Sequence, residues 1–332
     1  MSAAIRVEGM GGLGDCLHQR AVVRQLLAQG RDVWLETPWP SVYHDLSGER
    51  LHLVDAGSPL RTQAKNAERE AASFSHRPPP DEADYLRVHY PAPACQAWGS
   101  VLKAMLATCR LDPDECDFRL PVPDRWLDMV EVWLNRWGNP VKPLMIYRPL
   151  VARAEWGGAA ARNPDPDTYR ALYRAVRGQY FVVSVADLEP GREWLVSEEV
   201  DVDVVLHGGE LVFEELAALF SIADLVFTAP GFAVVLSQAV GAKHVAVFGG
   251  YERARSYSAG RRFARQLAIE PIEPCDCFRH DHQCRKEIDL PAALNRVREF
   301  GFGLPPLAGW RAPLAFVGDV GPELYPPTSQ RA

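Results

Sequence analysis

No stretch of this 332-residue chain is long and apolar enough to cross a bilayer. The longest apolar runs, such as Leu144–Tyr147 and Phe181–Val185, are strand-sized against the ~20 residues a spanning helix needs. Residues 1–6 lack the basic flank and long apolar stretch of a secretory signal. An excess of positive charge is missing too: 43 acidic residues outnumber 36 basic ones, for a net −7. A chain living on non-specific duplex binding is usually basic, so the overall charge disfavours a nucleic-acid partner, although a local patch can override the average. Internal repeats and long low-complexity tracts are absent as well. The expectation is a cytoplasmic protein with no membrane span, whose seven cysteines are thiols or metal ligands rather than disulfides.

What is present is an ordinary globular composition, 47% hydrophobic and 24% charged, which can bury a core and excludes a mainly disordered chain. At ~100–200 residues per domain the length suggests two domains, or one large one. Prolines number 27 of 332, about 8% against a typical ~5%, and many fall in loop clusters. Short buried strands alternate with helical segments. Residues 5–8 read as a strand, 15–29 as a helix with Leu17, Ala21, Val22, Leu26 and Leu27 on one face, and 32–35 as the next strand. The polar segment 61–82 reads as an exposed loop or lid, and 98–109 and 124–137 as helices. After Trp137-Gly138-Asn139-Pro140 a second strand and helix series runs to about residue 248. Such alternation implies βαβ units and parallel sheets. We therefore expect an α/β protein of two doubly wound, Rossmann-like domains facing a cleft, at 1–138 and 139–304, with a proline-rich tail at 305–332.

Gly9-Met10-Gly11-Gly12-Leu13-Gly14 fits G-x-G-x-x-G between a strand and a helix, and Glu36 ends the second strand 22 residues beyond Gly14. That pattern is the dinucleotide fingerprint with its ribose acid. The objection is electrostatic. The fingerprint works because helix-end amides receive a pyrophosphate, and here Asp15 puts a carboxylate in that place. Asp15 suits proton abstraction from an uncharged hydroxyl, or simple capping of the helix. Both readings stand on the residues alone.

The run Gly12-Leu13-Gly14-Asp15-Cys16-Leu17-His18, followed by Arg20-Ala21-Val22-Val23-Arg24-Gln25-Leu26, resembles the opening motif of the lipopolysaccharide heptosyltransferases, family nine of the glycosyltransferases. The resemblance implies the GT-B fold, with acceptor on the N-terminal domain and nucleotide sugar on the C-terminal one. It also implies that Asp15 is the general base. Residues 213–228, Gly231 and the segment Gly241–Gly250 are similar to the family's donor side. There the amides near Gly231, Gly249 and Gly250 would meet a diphosphate, with Glu252 and Arg253 beside them. Arg162 stands where the family has a lysine, so it is the expected partner of the leaving group, with Arg153 as its rival. Three further positions depart from the family: Ala229 and Pro230 replace an Asp and a small hydroxyl residue, and Val234 replaces a histidine. Five arginines at 253, 255, 261, 262 and 265 form either a solvated face or a basic rim for phosphates.

Cys275, Cys277 and Cys284, with His280 and His282 among them, lie within ten residues. Three thiolates and one imidazole make a closed tetrahedral zinc site, so a structural zinc is expected and a catalytic metal is not. Reduced thiols or a disulfide are the alternatives. Cys16, beside a carboxylate, is not poised as a nucleophile.

With the resemblance, the expectation is an inverting, metal-independent glycosyltransferase that takes a nucleotide-diphosphate sugar to a hydroxyl, with a glycan or lipopolysaccharide-like acceptor favoured. The alternatives are the same chemistry on a hydroxylated DNA base, an NAD-dependent Rossmann oxidoreductase, and an inactive GT-B binding protein. The oxidoreductase predicts nicotinamide binding without sugar-nucleotide binding.

Overall fold

The computed structural model describes residues 4–56, 68, 77–154, 161–196, 201–257, 265–279 and 281–302. The tail expected at 305–332, most of the expected lid at 61–82, Arg261, Arg262 and His280 lie outside the described residues.

The first sheet is built from β1 (Ala4–Glu8), β2 (Asp32–Glu36), β3 (Leu51–Val54) and β4 (Asp84–Arg87). All its pairings are parallel, in the order β3-β2-β1-β4, with Ile5 opposite both Val33 and Asp84. Helix α1 (Leu13–Ala28) connects β1 to β2. The single helix expected at 98–109 is two, α2 (Ala92–Trp98) and α3 (Val101–Thr108). Gly99 adopts a left-handed conformation (φ 65°) that closes α2, and Ser100 Oγ then accepts the Lys103 amide to open α3. Both residues favour termination and restart over continuation. Helix α4 (Asp124–Arg136) completes this half.

The second half follows in chain order as β5 (Leu144–Tyr147), β6 (Val151–Arg153), α5 (Pro166–Arg177), β7 (Phe181–Val185), β8 (Glu193–Leu195) and β9 (Val204–Leu206). It continues with α6 (Phe213–Ile222), β10 (Leu225–Thr228), α7 (Phe232–Val240), β11 (His244–Val247), β12 (Gln266–Ile269) and α8 (Leu290–Phe302). Six strands form an all-parallel sheet ordered β12-β11-β10-β5-β7-β9, while β6 and β8 make a small antiparallel pair. Every residue of β5, β10 and β11 is buried, as strands covered by helices on both faces must be. The α/β class with two parallel sheets is thus as the alternation implied.

The apolar interior is continuous between the sheets: one cluster runs from Val7 and Val33 through Phe118 and Trp126 to Phe213, Val226 and Ala246. Helix α4 packs on α6, with Trp126 and Phe213 edge to face at 6.0 Å and Trp133 Nε1 donating to Glu215 Oε1 at 2.9 Å. Helix α1 packs on α7 so closely that a Cβ on Gly14 would lie 3.1 Å from Phe232 Cα.

Helix α1 is buried on more than its apolar face. Gln19 accepts from the Met10 amide and donates to Tyr43 Oη, both at 2.9 Å. The fully buried Arg20 donates to the carbonyls of Val42, Phe118 and Arg119 and pairs with Asp45 at 2.8 Å. Gln25 bonds the backbone of Asp112 in both directions and donates to Glu115 O at 3.0 Å. A buried polar group left unmatched costs a few kcal/mol, about 1–3. These matched groups therefore hold α1 in one register and fix where its N-terminus points.

Candidate active site

A cleft of about 460 Å³ lies where the heads of α1 and α7 meet. The first half contributes Gly12, Asp15, His18, Trp39, Tyr90 and Val101, and the second half Arg148, Arg153, Arg162, Gly231, Glu252 and Tyr257. Both expected catalytic residues, Asp15 and Arg162, therefore line one cavity.

Asp15 is the third residue of α1. Its hydrogen bond is to Tyr90, whose hydroxyl donates to Oδ1 at 2.7 Å. A Cβ on Gly12 would collide with Oδ2, so glycine there makes room for the carboxylate. Burial is the main influence on this carboxyl and lifts it above the usual carboxylate range. The Tyr90 bond and the charge of Arg162 work the other way, and the charge of Glu252 adds to the rise. Burial first, then the Asp15 charge, also pushes the Cys16 thiol upward, which leaves it a poor nucleophile.

Across the cleft Arg162 is held by Glu252, Nε to Oε1 at 2.5 Å and Nη2 to Oε2 at 3.2 Å, and by the Tyr257 hydroxyl at 2.9 Å. Glu252, expected beside the donor, thus anchors the arginine. Arg153 pairs with Glu193 at 3.0 Å. Arg148 was not singled out by the sequence reading. It directly follows β5, donates to Val185 O, stacks over Phe232 with its guanidinium carbon 4.6 Å from the ring centroid, and lines the cleft. Burial, then the nearby Arg153, lowers it to about 10. A helical or strand pattern gives no hint of such a residue, since it follows the strand it serves by one position.

Gly231 opens α7 at φ 140° and ψ −157°, a conformation close to glycine-only, and it lines the cleft. Gly249, Gly250 and Arg253 are not among the lining residues. A Cβ on Gly249 would strike the backbone of Asn163, and one on Gly250 would lie 2.7 Å from Arg285 O. These two glycines let the segment carrying Glu252 pack against its neighbours. Arg253 sits 3.7 Å from Glu270, and Arg255 pairs with Asp276. Ala229 and Pro230 face the cleft, whereas Val234 is fully buried. Glu36, the would-be ribose acid, is ion-paired with Arg6 at 2.5 Å.

The cysteine segment folds against the Glu252 loop: the Asp276 amide donates to Gly250 O at 2.9 Å and the Phe278 amide to Tyr251 O at 3.1 Å. Ligand atoms of Cys275, His282 and Cys284 lie within 4.8 Å of one another. Cys277 Sγ is 3.6 Å from Cys284 Sγ and 3.5 Å from His282 Nδ1, which is itself 3.5 Å from Cys284 Sγ. Sulfurs 3.6 Å apart are not disulfide-bonded, but the spacing matches the edges of a tetrahedron around a metal with ~2.0–2.3 Å bonds.

No family model and no curated protein matches the sequence. Several solved structures match the fold. A family 9 glycosyl transferase from Veillonella parvula is 13% identical, covers 80% of this chain and 88% of its own, and has a TM-score of 0.51. The E. coli ADP-heptose lipopolysaccharide heptosyltransferase II is also 13% identical, over 88% and 99%, at 0.50. The iron-containing dodecameric glycosyltransferase TibC of enterotoxigenic E. coli is 12% identical, over 89% and 78%, at 0.57. TibC is also known in complex with ADP-D-β-D-heptose. This chain therefore shares the two-sheet GT-B fold of those glycosyltransferases. Among the described residues no helix is long and apolar enough to cross a membrane.

Burial holds two histidines neutral: it lowers His18, on the cleft wall, to about 3, and His244 to about 4. The unfolded chain takes up these protons near pH 6.5, the native protein only near those lower values. Stability is thus whole above about pH 6.5 and declines as pH falls toward 4, by about 1 kcal/mol per unit for each histidine. Urea unfolding at pH 7, 6 and 5 should show this decline, flattened in His18→Gln; an equally steep decline in that variant would remove His18 from the account.

Proposed function

We propose that this protein is an inverting, metal-independent glycosyltransferase that moves a sugar from a nucleotide diphosphate to a hydroxyl, most naturally of a glycan. The observation that carries the reading is the meeting of Asp15 and Arg162 across one cleft, near enough for the charge of the arginine to act on the carboxyl. Asp15 takes the proton from the acceptor O–H as that oxygen bonds to the donor's anomeric carbon. The bond from that carbon to the diphosphate oxygen breaks, and its electron pair leaves with the diphosphate. Arg162, Arg153 and the amides at Gly231 offset the charge that grows there. Most of the rate enhancement is then positioning and electrostatics rather than covalent chemistry. The oxidoreductase reading is disfavoured because Glu36 is spent on Arg6 and a carboxylate stands at the helix head.

The base and helix-cap readings of Asp15 separate in one variant. Asp15→Asn should keep the fold and lose ~10²–10⁴-fold in turnover of ADP-heptose, read as ADP release, because general-base assistance is worth that much. A near-normal rate would overturn the assignment.

Cys275, Cys277, His282 and Cys284 suit a structural zinc by donor type, with Cys277, His282 and Cys284 3.5–3.6 Å apart and Cys275 within 4.8 Å of His282 and Cys284. It would brace the Glu252 loop, since the backbone of 276–278 is bonded to 250–251. Elemental analysis of protein purified without chelators should give about one zinc per chain. Iron in its place would contradict zinc, and a trace of any metal with three titratable thiols would contradict the site.

A further inference from the structure

Tyr90 came to notice through no motif, yet it touches the group on which the proposed chemistry turns. It lies beyond the end of β4, its ring packs between two apolar clusters, and its hydroxyl lines the cleft. That hydroxyl donates to Asp15 Oδ1 at 2.7 Å, a bond spanning 75 residues of chain. The other carboxylate oxygen, Oδ2, occupies the space that a side chain on Gly12 would fill, and Gly12 itself lines the cleft.

We propose that Tyr90 is the positioning residue of the transfer reaction, fixing Asp15 by Oδ1 so that Oδ2 is the oxygen that takes the acceptor's proton. The proposal rests on the reading of Asp15 as base. Four neighbours share the electrostatics of this carboxylate. Cys16 follows it on α1, Tyr90 approaches from beyond β4, Arg162 from the segment before α5, and Glu252 from the loop after β11. Arg162 is committed to Glu252 and Tyr257 and acts on Asp15 through its charge. Tyr90 is the neighbour that binds the carboxylate directly. A hydrogen bond to an ionised acceptor is roughly twice as strong as a neutral one, and it favours the charged form of Asp15. Burial keeps the Tyr90 hydroxyl itself protonated, the state needed to donate.

The test is Tyr90→Phe, which keeps the ring and its packing and removes only the hydroxyl. In protein labelled with ¹³C at the aspartate carboxyls, the Asp15 signal is the one missing from Asp15→Asn. Its titration midpoint should rise by about one pH unit in Tyr90→Phe, since one unit is a tenfold change in the protonation equilibrium. The acid limb of ADP-heptose turnover should rise with it. The variant should then be about tenfold slower below the limb, recover at higher pH, and keep the wild-type KM for ADP-heptose. Within Asp15→Asn, the further change Tyr90→Phe should cost nothing more. An unmoved midpoint and limb, with Asp15→Asn inactive, would overturn the proposal while leaving the base reading intact. Full turnover in Asp15→Asn would defeat the base reading and the proposal together.

Discussion

A carboxylate buried in a protein wall constrains everything around it, and Asp15 is such a group. Withdrawing it from water raises the cost of its charge, and only a donor hydroxyl and a facing guanidinium reduce that cost. Tyr90 and Arg162 supply them from opposite halves of the chain. The arrangement works only if the head of α1 is held in place. Gln19, Arg20 and Gln25 do that, each satisfied by backbone or side chains from Met10 to Arg119. Gly14 lets α7 approach closely enough for both helix heads to border one cleft.

The same logic extends outward on the donor side. Arg162 is not a loose cation waiting for phosphate; it is clamped by Glu252 and Tyr257. Glu252 is positioned by a loop whose glycines press against the backbone of Asn163 and Arg285. That loop is bonded in turn to the cysteine segment. A brace on the cysteines would therefore reach Arg162 through two successive contacts, and Asp15 through the charge that Arg162 carries.

The glycine turn and the alternation of strands and helices made the two parallel sheets legible from sequence. Asp15 was legible too, since a carboxylate in a phosphate position is conspicuous. The hydrophobic spacing of Leu17, Ala21 and Leu26 located α1 but said nothing of the buried Arg20, whose partners at Val42, Phe118 and Arg119 are distant in the chain. Tyr90 and Arg148 escaped for the same reason: each is defined by what it meets across the fold, not by its neighbours in sequence. The strands β3 and β9, of four and three residues, are too short for a period-two pattern to stand out. Gly249 and Gly250 look like phosphate-binding amides in sequence, whereas the structure packs them tightly against neighbouring backbone. Close packing and ligand approach both require glycine, so sequence alone does not separate them.

On the function proposed above, this cleft binds a sugar nucleotide with its diphosphate toward Arg162. Calorimetric titration of the intact protein with ADP-heptose and, separately, with NAD tests it most directly. The account predicts saturable binding of the sugar nucleotide at one site per chain, weakened in Arg162→Ala, and no binding of NAD. Saturable binding of NAD, with ADP-heptose inert, would contradict it.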